Sequence, residues 1–290
     1  MIISVASGKG GTGKTMISVN LSDSLSEIVK TIFLDCDVEE PNSHLFLQPE
    51  ITNTEDVNVI VPIIDKTKCI HCGKCQNVCE FNAILSFSKE TLVLENLCHG
   101  CRGCIIVCPQ SAISESKRKI GIIQKGKTKK NIEFINGILE VKEAMATPLI
   151  KKVIQKLDNL DDDDKTNYSV IIDCPPGTSC PMVNSIKISD YCILVTEPTP
   201  FGLSDLKLAV EVVNKLEIPF GVIINKADKN NSIIENYCQE KNIAILMKIP
   251  FDRDIAIKCS YGNLITEYKE EYKKNFKNLF NSILSQLKKN

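Results

Sequence analysis

No charge of either sign dominates these 290 residues: 35 Lys and Arg stand against 36 Asp and Glu, a formal net charge of −1. So balanced a chain has no broad basic bias, and nucleic acid is not an expected partner. It also has no stretch approaching the ~18 to 20 continuous apolar residues of a membrane span. Nor does it open on a secretory leader, because the apolar run Ile2 to Ala6 leads straight into a glycine-rich loop and reads as a first strand. These absences point to the cytoplasm, where clustered cysteines hold metals or do redox chemistry rather than form disulfides. What is plentiful is cysteine, 14 in all, eight of them in two quartets.

Hydrophobic content of 43% suits a globular chain long enough for one large α/β domain and a small one. After the first strand, a helix beginning near Lys14 carries Ile17, Leu21 and Leu25 on one face. A second apolar strand, "TIFLDCD", follows. The alternation resumes in "YSVIIDCPP", "YCILVTEP", "PFGVIINKAD" and "IAILMKIP", with helical segments at 203–216 and 231–241. Buried parallel strands read as such continuous apolar runs, so the expected fold is a doubly wound, mostly parallel sheet with sites at the strands' carboxyl ends. Between about 62 and 117 the rhythm breaks into short segments with one short strand, "TLVLE". The expected organisation is one large α/β domain in two parts, 1–61 and 118–290, around a small inserted α+β domain at 62–117, held by metal because it has little core of its own. Residues 118–145 read as a β-ribbon about a lysine-rich turn, Pro148 to about Leu157 as a helix, and "DDDDK" at 161–165 as a solvated loop.

Gly8-x4-Gly13-Lys14-Thr15 follows a strand and opens a helix, the context a phosphate-binding loop requires. Its glycines let backbone N–H groups turn inward around phosphates at a helix N-terminus. Lys14 is expected to reach the β- and γ-phosphates, and the Thr15 hydroxyl to ligate Mg²⁺. A chance glycine turn is the bland alternative.

The string "KGGTGKT" resembles the deviant Walker A loop of the MinD/ParA ATPases, the Mrp-type cluster carriers and the nitrogenase iron protein. That resemblance implies a P-loop ATPase working as a homodimer, or a heterodimer with a similar ATPase, in which Lys9 reaches the phosphates of the other subunit's nucleotide. Gly8, Gly10, Gly11, Thr12 and Gly13 would complete the phosphate cradle. "LDCDVEEPN" resembles the family's switch I, implying Asp35 near Mg²⁺ and Asp37 orienting the attacking water. "IIDCPPGT" resembles Walker B and switch II, implying Asp173 on Mg²⁺ through water and Gly177 near the γ-phosphate. "INKAD" falls at the base-recognition strand, with Asn225 and Lys226 at the purine. "IPFDRDIAIKCSYGNLI" matches the last base-contacting loop, which holds Pro250. Each aspartate has the simpler reading of a helix cap. The resemblance implies ATP and ADP, although Asn225-Lys226-Ala227-Asp228 also fits the string by which many GTPases read guanine.

Cys69, Cys72, Cys75 and Cys79 are spaced C-x2-C-x2-C-x3-C, and Cys98, Cys101, Cys104 and Cys108 repeat the spacing before Pro109. This is the bacterial two-cluster ferredoxin pattern, in which each fourth cysteine ligates the other cluster. Cys69, Cys72, Cys75 and Cys108 are therefore assigned to one [4Fe–4S] cluster, and Cys98, Cys101, Cys104 and Cys79 to the second. Glu80 departs from the usual proline without altering the ligand spacing. Structural zinc is the competing reading, but zinc has no use for three cysteines at successive three-residue steps. His71 and His99, at equivalent places inside the cysteine loops, read as solvent-facing loop residues, with tuning of the clusters through hydrogen bonds as the alternative. Of the other six cysteines, most sit in apolar segments and read as small buried hydrophobes, whereas Cys180 follows switch II near a helix start. The apolar face Phe276, Leu279, Phe280, Ile283, Leu284 and Leu287 reads as a closing helix packed on the sheet, not a membrane anchor.

Three functions fit: nucleotide-gated electron delivery to a partner metalloenzyme or cofactor-assembly system, iron–sulfur cluster carriage, and a redox-sensing positioning module.

Overall fold

The structure, a computed structural model, describes residues 1–159 and 168–288. The acidic run at 161–165 lies outside the described residues. Eleven described strands are β1 (Ile2–Ala6), β2 (Lys30–Asp35), β3 (Glu50–Ile64), β4 (Ile84–Ser86), β5 (Thr91–Val93), β6 (Ile113–Lys127), β7 (Glu133–Leu139), β8 (Tyr168–Asp173), β9 (Tyr191–Thr196), β10 (Phe220–Ala227) and β11 (Ile245–Pro250). Nine form one sheet in the order β11-β10-β9-β1-β8-β2-β7-β6-β3, and β4 pairs with β5 in a small separate sheet. From β11 to β7 every neighbour is parallel. The doubly wound, mostly parallel α/β sheet expected from the apolar runs is thus observed, because strands covered on both faces admit no polar alternation.

Alternate residues divide the sheet's two faces. Ile3, Val5, Phe33, Ile171 and Ile193 pack on one face with α1 (Lys14–Leu25) and the C-terminal helices α9 (Arg253–Ser260), α10 (Ile265–Tyr268) and α11 (Glu270–Leu287). Ile32, Leu34, Ile172, Leu194 and Ile224 face α5 (Ala146–Ile154), α6 (Cys180–Ile186), α7 (Pro200–Lys215) and α8 (Ser232–Glu240). α1 is buried almost all round, and most of its polar side chains find partners within the fold, the Ser22 hydroxyl excepted. Asn20 accepts from the Thr266 amide at 3.1 Å, while Asp23 accepts from Lys130 at 2.6 Å and from the Thr266 hydroxyl at 2.7 Å.

The sheet ends in a long antiparallel ribbon. β3 and β6 pair from Glu50–Lys127 to Ile64–Ile113, but β6 pairs with β7 only from Gly121 to Lys127. A bulge at Ile120 marks where the ribbon leaves the sheet. Ile120 is fully buried there, and a Cβ on Gly121 would lie 2.4 Å from the Ile138 carbonyl oxygen. Since Leu139, opposite Gly121, is the carboxyl end of β7, the free part of the ribbon points past the carboxyl ends of the parallel strands. Its eight residues reach about 25 Å beyond them. Between the ribbon strands, residues 65–112 hold the β4–β5 sheet and the one-turn helices α3 (Lys74–Asn77) and α4 (Gly103–Ile106), with α2 (Ser43–Leu47) lying before β3. Two small cores pack this segment to the ribbon: Val61 with Ala83 and Cys98, and Ile113 with Cys75, Ile84 and Cys104.

α11 lays Tyr272, Phe276, Leu279, Phe280 and Ile283 against α1 and the sheet, in line with the sequence reading of a packed closing helix. No described helix is long and apolar enough to cross a membrane. Phe276→Ala should destabilise the fold by about 3–5 kcal/mol, read from the urea midpoint at unchanged m-value.

Candidate functional site

The carboxyl ends of β1, β8, β2 and β10 converge on the glycine-rich loop, residues 7–13. Gly11 (φ 77°) and Gly13 (φ 94°) take left-handed conformations that turn the loop into α1, as Gly177 (φ 93°) does after β8. At Gly13 an added Cβ would lie 2.3 Å from the Asn225 side-chain nitrogen. Gly8 is as tightly held, against the Asp205 carbonyl oxygen, while Gly10 faces open space. The loop is braced from two sides: the Gly177 amide donates to Ser7 O at 3.1 Å, and Asn225 Nδ2 donates to Thr12 O at 2.8 Å.

Lys14 is buried at the mouth of α1, where its charge lies close enough to lower the affinity of Asp37 and Asp173 for protons. Thr15 Oγ1 donates to Asp173 Oδ2 at 2.6 Å. Asp173 is fully buried, and its second oxygen, Oδ1, meets no protein donor. Burial pushes this carboxyl up to about 7, with Thr15 and Lys14 pulling it down. A hydroxyl beside a carboxylate oxygen without a protein donor, at the base of a phosphate loop, suits Mg²⁺, a hard cation that takes oxygen ligands and keeps several waters.

The other two aspartates separate in role. Asp35 is fully buried, and its oxygens accept from the Asp37 amide at 3.1 Å and from the Ser43 amide and hydroxyl. It thereby anchors the start of α2, the capping alternative, with burial and then Asp173 holding its carboxyl well above the usual range. Asp37 is half-buried, its carboxyl pushed up to about 6 by burial, with Lys14 opposing.

At the base strand, Lys226 Nζ donates to Gly11 O at 2.8 Å. Both Asp228 oxygens are engaged by Asn230, at 2.7 and 3.3 Å, within a local turn. Pro250 ends β11, and the next amide, of Phe251, donates to Ala227 O at 3.1 Å, tying the two base-side loops together. The sequence reading missed Glu197, whose carboxylate pairs with both Lys9 and Lys226. No motif marks it; only the juxtaposition of β9 with the loop reveals it.

A family model described as the CobQ/CobB/MinD/ParA nucleotide binding domain matches residues 3–265. The chain belongs to this family. An uncharacterized protein of Methanocaldococcus jannaschii is similar at 33% identity over 274 residues, covering 93% of each chain. An iron-sulfur cluster carrier protein of Rickettsia felis is 26% identical over 273 residues, covering 92% of this chain and 66% of that protein. Among solved structures, the septum site-determining protein MinD of Pyrococcus horikoshii, complexed with Mg-ADP, shares the fold. Its TM-score is 0.57 at 22% identity, with 96% of this chain and 93% of that one covered. For a member of a CobQ/CobB/MinD/ParA nucleotide-binding family, the convergent carboxyl ends described above are the nucleotide side of the sheet.

The same sheet carries the cysteines at its ribbon. One cavity, beside Ile64 and Ile113, is lined by Cys69, Cys72, Cys75 and Cys108. Another, beside Ile60 and Pro62, is lined by Cys79, Cys98, Cys101 and Cys104. Each fourth cysteine therefore lines the cavity of the other quartet. Backbone amides point at sulfur in matching places: Ala83 N to Cys79 Sγ and Ala112 N to Cys108 Sγ at 3.3 Å, and Gly100 N to Cys98 Sγ at 3.4 Å. Among the described residues no three Cys, His, Asp or Glu side chains gather closely enough for a single metal ion. A [4Fe–4S] cube takes each thiolate on a different iron, so ligands around a cavity fit it better than ligands converging on a point. The two histidines differ in setting, His71 being partly buried and His99 exposed. His71 Nδ1 lies 3.0 Å from Thr91 Oγ1 and 3.6 Å from Cys69 Sγ, while His99 stacks on Phe81 at 3.7 Å between ring centroids. Of the remaining cysteines, Cys36, Cys174, Cys192 and Cys238 are buried and Cys180 is exposed.

Asn225→Ala removes the brace on the Thr12 carbonyl and should weaken Mg-nucleotide binding about five-fold, the equivalent of one hydrogen bond of about 1 kcal/mol. Titration with a fluorescent nucleotide checks it.

Proposed function

We propose that the chain is an ATP-hydrolysing iron–sulfur protein in which the nucleotide state of a dimer gates electron transfer through two [4Fe–4S] clusters to a redox or cofactor-assembly partner. The observation that carries this reading is directional: the ribbon bearing both cysteine-lined cavities leaves the sheet at the end where the phosphate loop lies. A change of subunit geometry at that end would be felt by the ribbon. Residues 65–112 form the ferredoxin-type insert of this reading, within the 62–117 boundaries.

In this function Lys14 and the backbone of Gly8 to Gly13 bind the phosphates, and Thr15 with Asp173 holds Mg²⁺. Asp37 orients the attacking water, Lys9 supplies charge to the opposite subunit's nucleotide, and Gly177 closes on the γ-phosphate. Asn225, Lys226 and Pro250 border the base, with ATP preferred because Asp228 is engaged by Asn230. Cys69, Cys72, Cys75 and Cys108 hold the distal cluster at the ribbon tip, and Cys98, Cys101, Cys104 and Cys79 hold the proximal one beside Ile60. Such clusters supply one-electron redox chemistry, and the amides directed at Cys79, Cys98 and Cys108 tune it.

Cluster carriage is a second reading, favoured by the 26% identity to a protein so described. Anaerobic iron analysis and EPR of the reduced protein separate the two. About eight irons per chain, with a signal or potential that moves with MgATP, supports gated transfer. Eight irons that ignore nucleotide and pass to an apo-acceptor support carriage, and zinc in their place overturns both. The crossed ligand assignment has its own check. Cys108→Ala should lose the distal cluster together with Cys69→Ala, and Cys79→Ala should lose the proximal one together with Cys98→Ala, each leaving about four irons.

A further inference from the structure

The Lys9 ammonium is paired with Glu197, the residue that follows β9. The second oxygen of Glu197 accepts from Lys226 at 3.1 Å, and Lys226 in turn donates to the Gly11 carbonyl at 2.8 Å. Glu197, 16% exposed in its side chain, thus bridges the front of the phosphate loop to the base strand. Its backbone is held firmly. The Thr199 amide donates to its carbonyl at 2.8 Å, and Gly202 packs so closely that a Cβ would come within 2.2 Å of that oxygen. Burial raises the carboxyl, and the two lysine hydrogen bonds more than offset this, so it stays ionised.

We propose that Glu197 is a positioning residue that keeps Lys9 in reserve, and that a nucleotide phosphate displaces it, Lys226 remaining behind as counter-ion. This rests on the nucleotide-binding function proposed above and deepens it by naming what Lys9 must leave. A carboxylate with one lysine on each oxygen can give up one without being stranded as an unpaired, partly buried charge, which is the costly outcome for such groups. Glu197 is the partner that holds the Lys9 ammonium, 30% exposed, whereas Lys226, 44% exposed, has a second hold on the Gly11 carbonyl and keeps its place when Lys9 leaves. A partly exposed ion pair of this kind holds its lysine by a factor of roughly five, enough to set a threshold and weak enough for a triphosphate to overcome.

The test is competitive acetylation of Lys9, followed by mass spectrometry and normalised to the exposed Lys142, in the full chain with and without a non-hydrolysable Mg-nucleotide. Without nucleotide, Glu197→Gln should raise Lys9 acetylation about five-fold, and Glu197→Asp should fall between. Nucleotide should protect Lys9 again in Glu197→Gln. The same variant should bind nucleotide a few-fold more tightly, and this gain should vanish in a Lys9→Ala background. Protection that depends on protein concentration assigns the displacing phosphate to a second copy, and protection that does not assigns it to the chain's own nucleotide; either supports displacement. Equal Lys9 acetylation with and without Glu197, in a chain that binds nucleotide, overturns this proposal alone. An unchanged gain in the Lys9→Ala background also overturns it. A chain that binds no nucleotide overturns the proposed function and the displacement with it.

Discussion

The carboxylate of Asp173, held out of water on β8 between β1 and β2, accepts from Thr15 with one oxygen and leaves the other without a protein donor. A buried charge left in this state is unfavourable unless something joins it, and burial raises the group's proton affinity accordingly. The surrounding construction follows from that constraint. The loop folds over it with Gly177 and Asn225 as braces, Lys14 lies close enough to offset its charge, and Asp35 is kept from competing by Ser43 and the Asp37 amide. The fold spends stability to hold an acidic, desolvated point at the carboxyl end of its sheet, which the proposed function completes with a cation and phosphates.

The second constraint is topological. β6 and β3 close the sheet as antiparallel strands, and both run well past the point where β7 stops. A free two-stranded ribbon is marginal in water, and this one is stabilised where it leaves the sheet by buried Ile120 and Val57, and further out by the small cores around Val61 and Ile113. Those small cores contain cysteines, so the packing that steadies the ribbon and the ligands that line the two cavities belong to the same few residues. Under the proposed function, metal loading would thereby be linked to the stiffness of the ribbon.

Much of the nucleotide side was legible in the sequence because its signals are local. Consecutive residues make the phosphate loop, and each strand announces itself by a continuous apolar run. The cysteine pseudo-repeat was legible for a related reason, since its spacing recurs 29 residues apart, from Cys69 to Cys98. Glu197 was not legible, because its meaning arises only from the side-by-side placement of β1, β9 and β10, residues nearly 190 positions apart in sequence. The same holds for the partner of His71, a loop residue whose neighbour Thr91 lies 20 positions away in sequence. Asp35 shows the opposite limit. Sequence alone offered it a ligand and a capping role; in this structure its carboxylate accepts from the Ser43 amide and hydroxyl, and the ligand role stays a proposal.

The sequence by itself determined the layered α/β fold, the phosphate loop and two sets of four soft ligands, because hydrophobic periodicity and ligand spacing are properties of neighbouring residues. Only the tertiary structure decided that both cysteine cavities stand off the nucleotide end of the sheet, and that Lys9 rests on Glu197. Strand direction, register and the bulge at Ile120 set the first, and side-chain contact between distant strand ends sets the second. Neither is encoded in any short stretch, since each depends on which strands become neighbours.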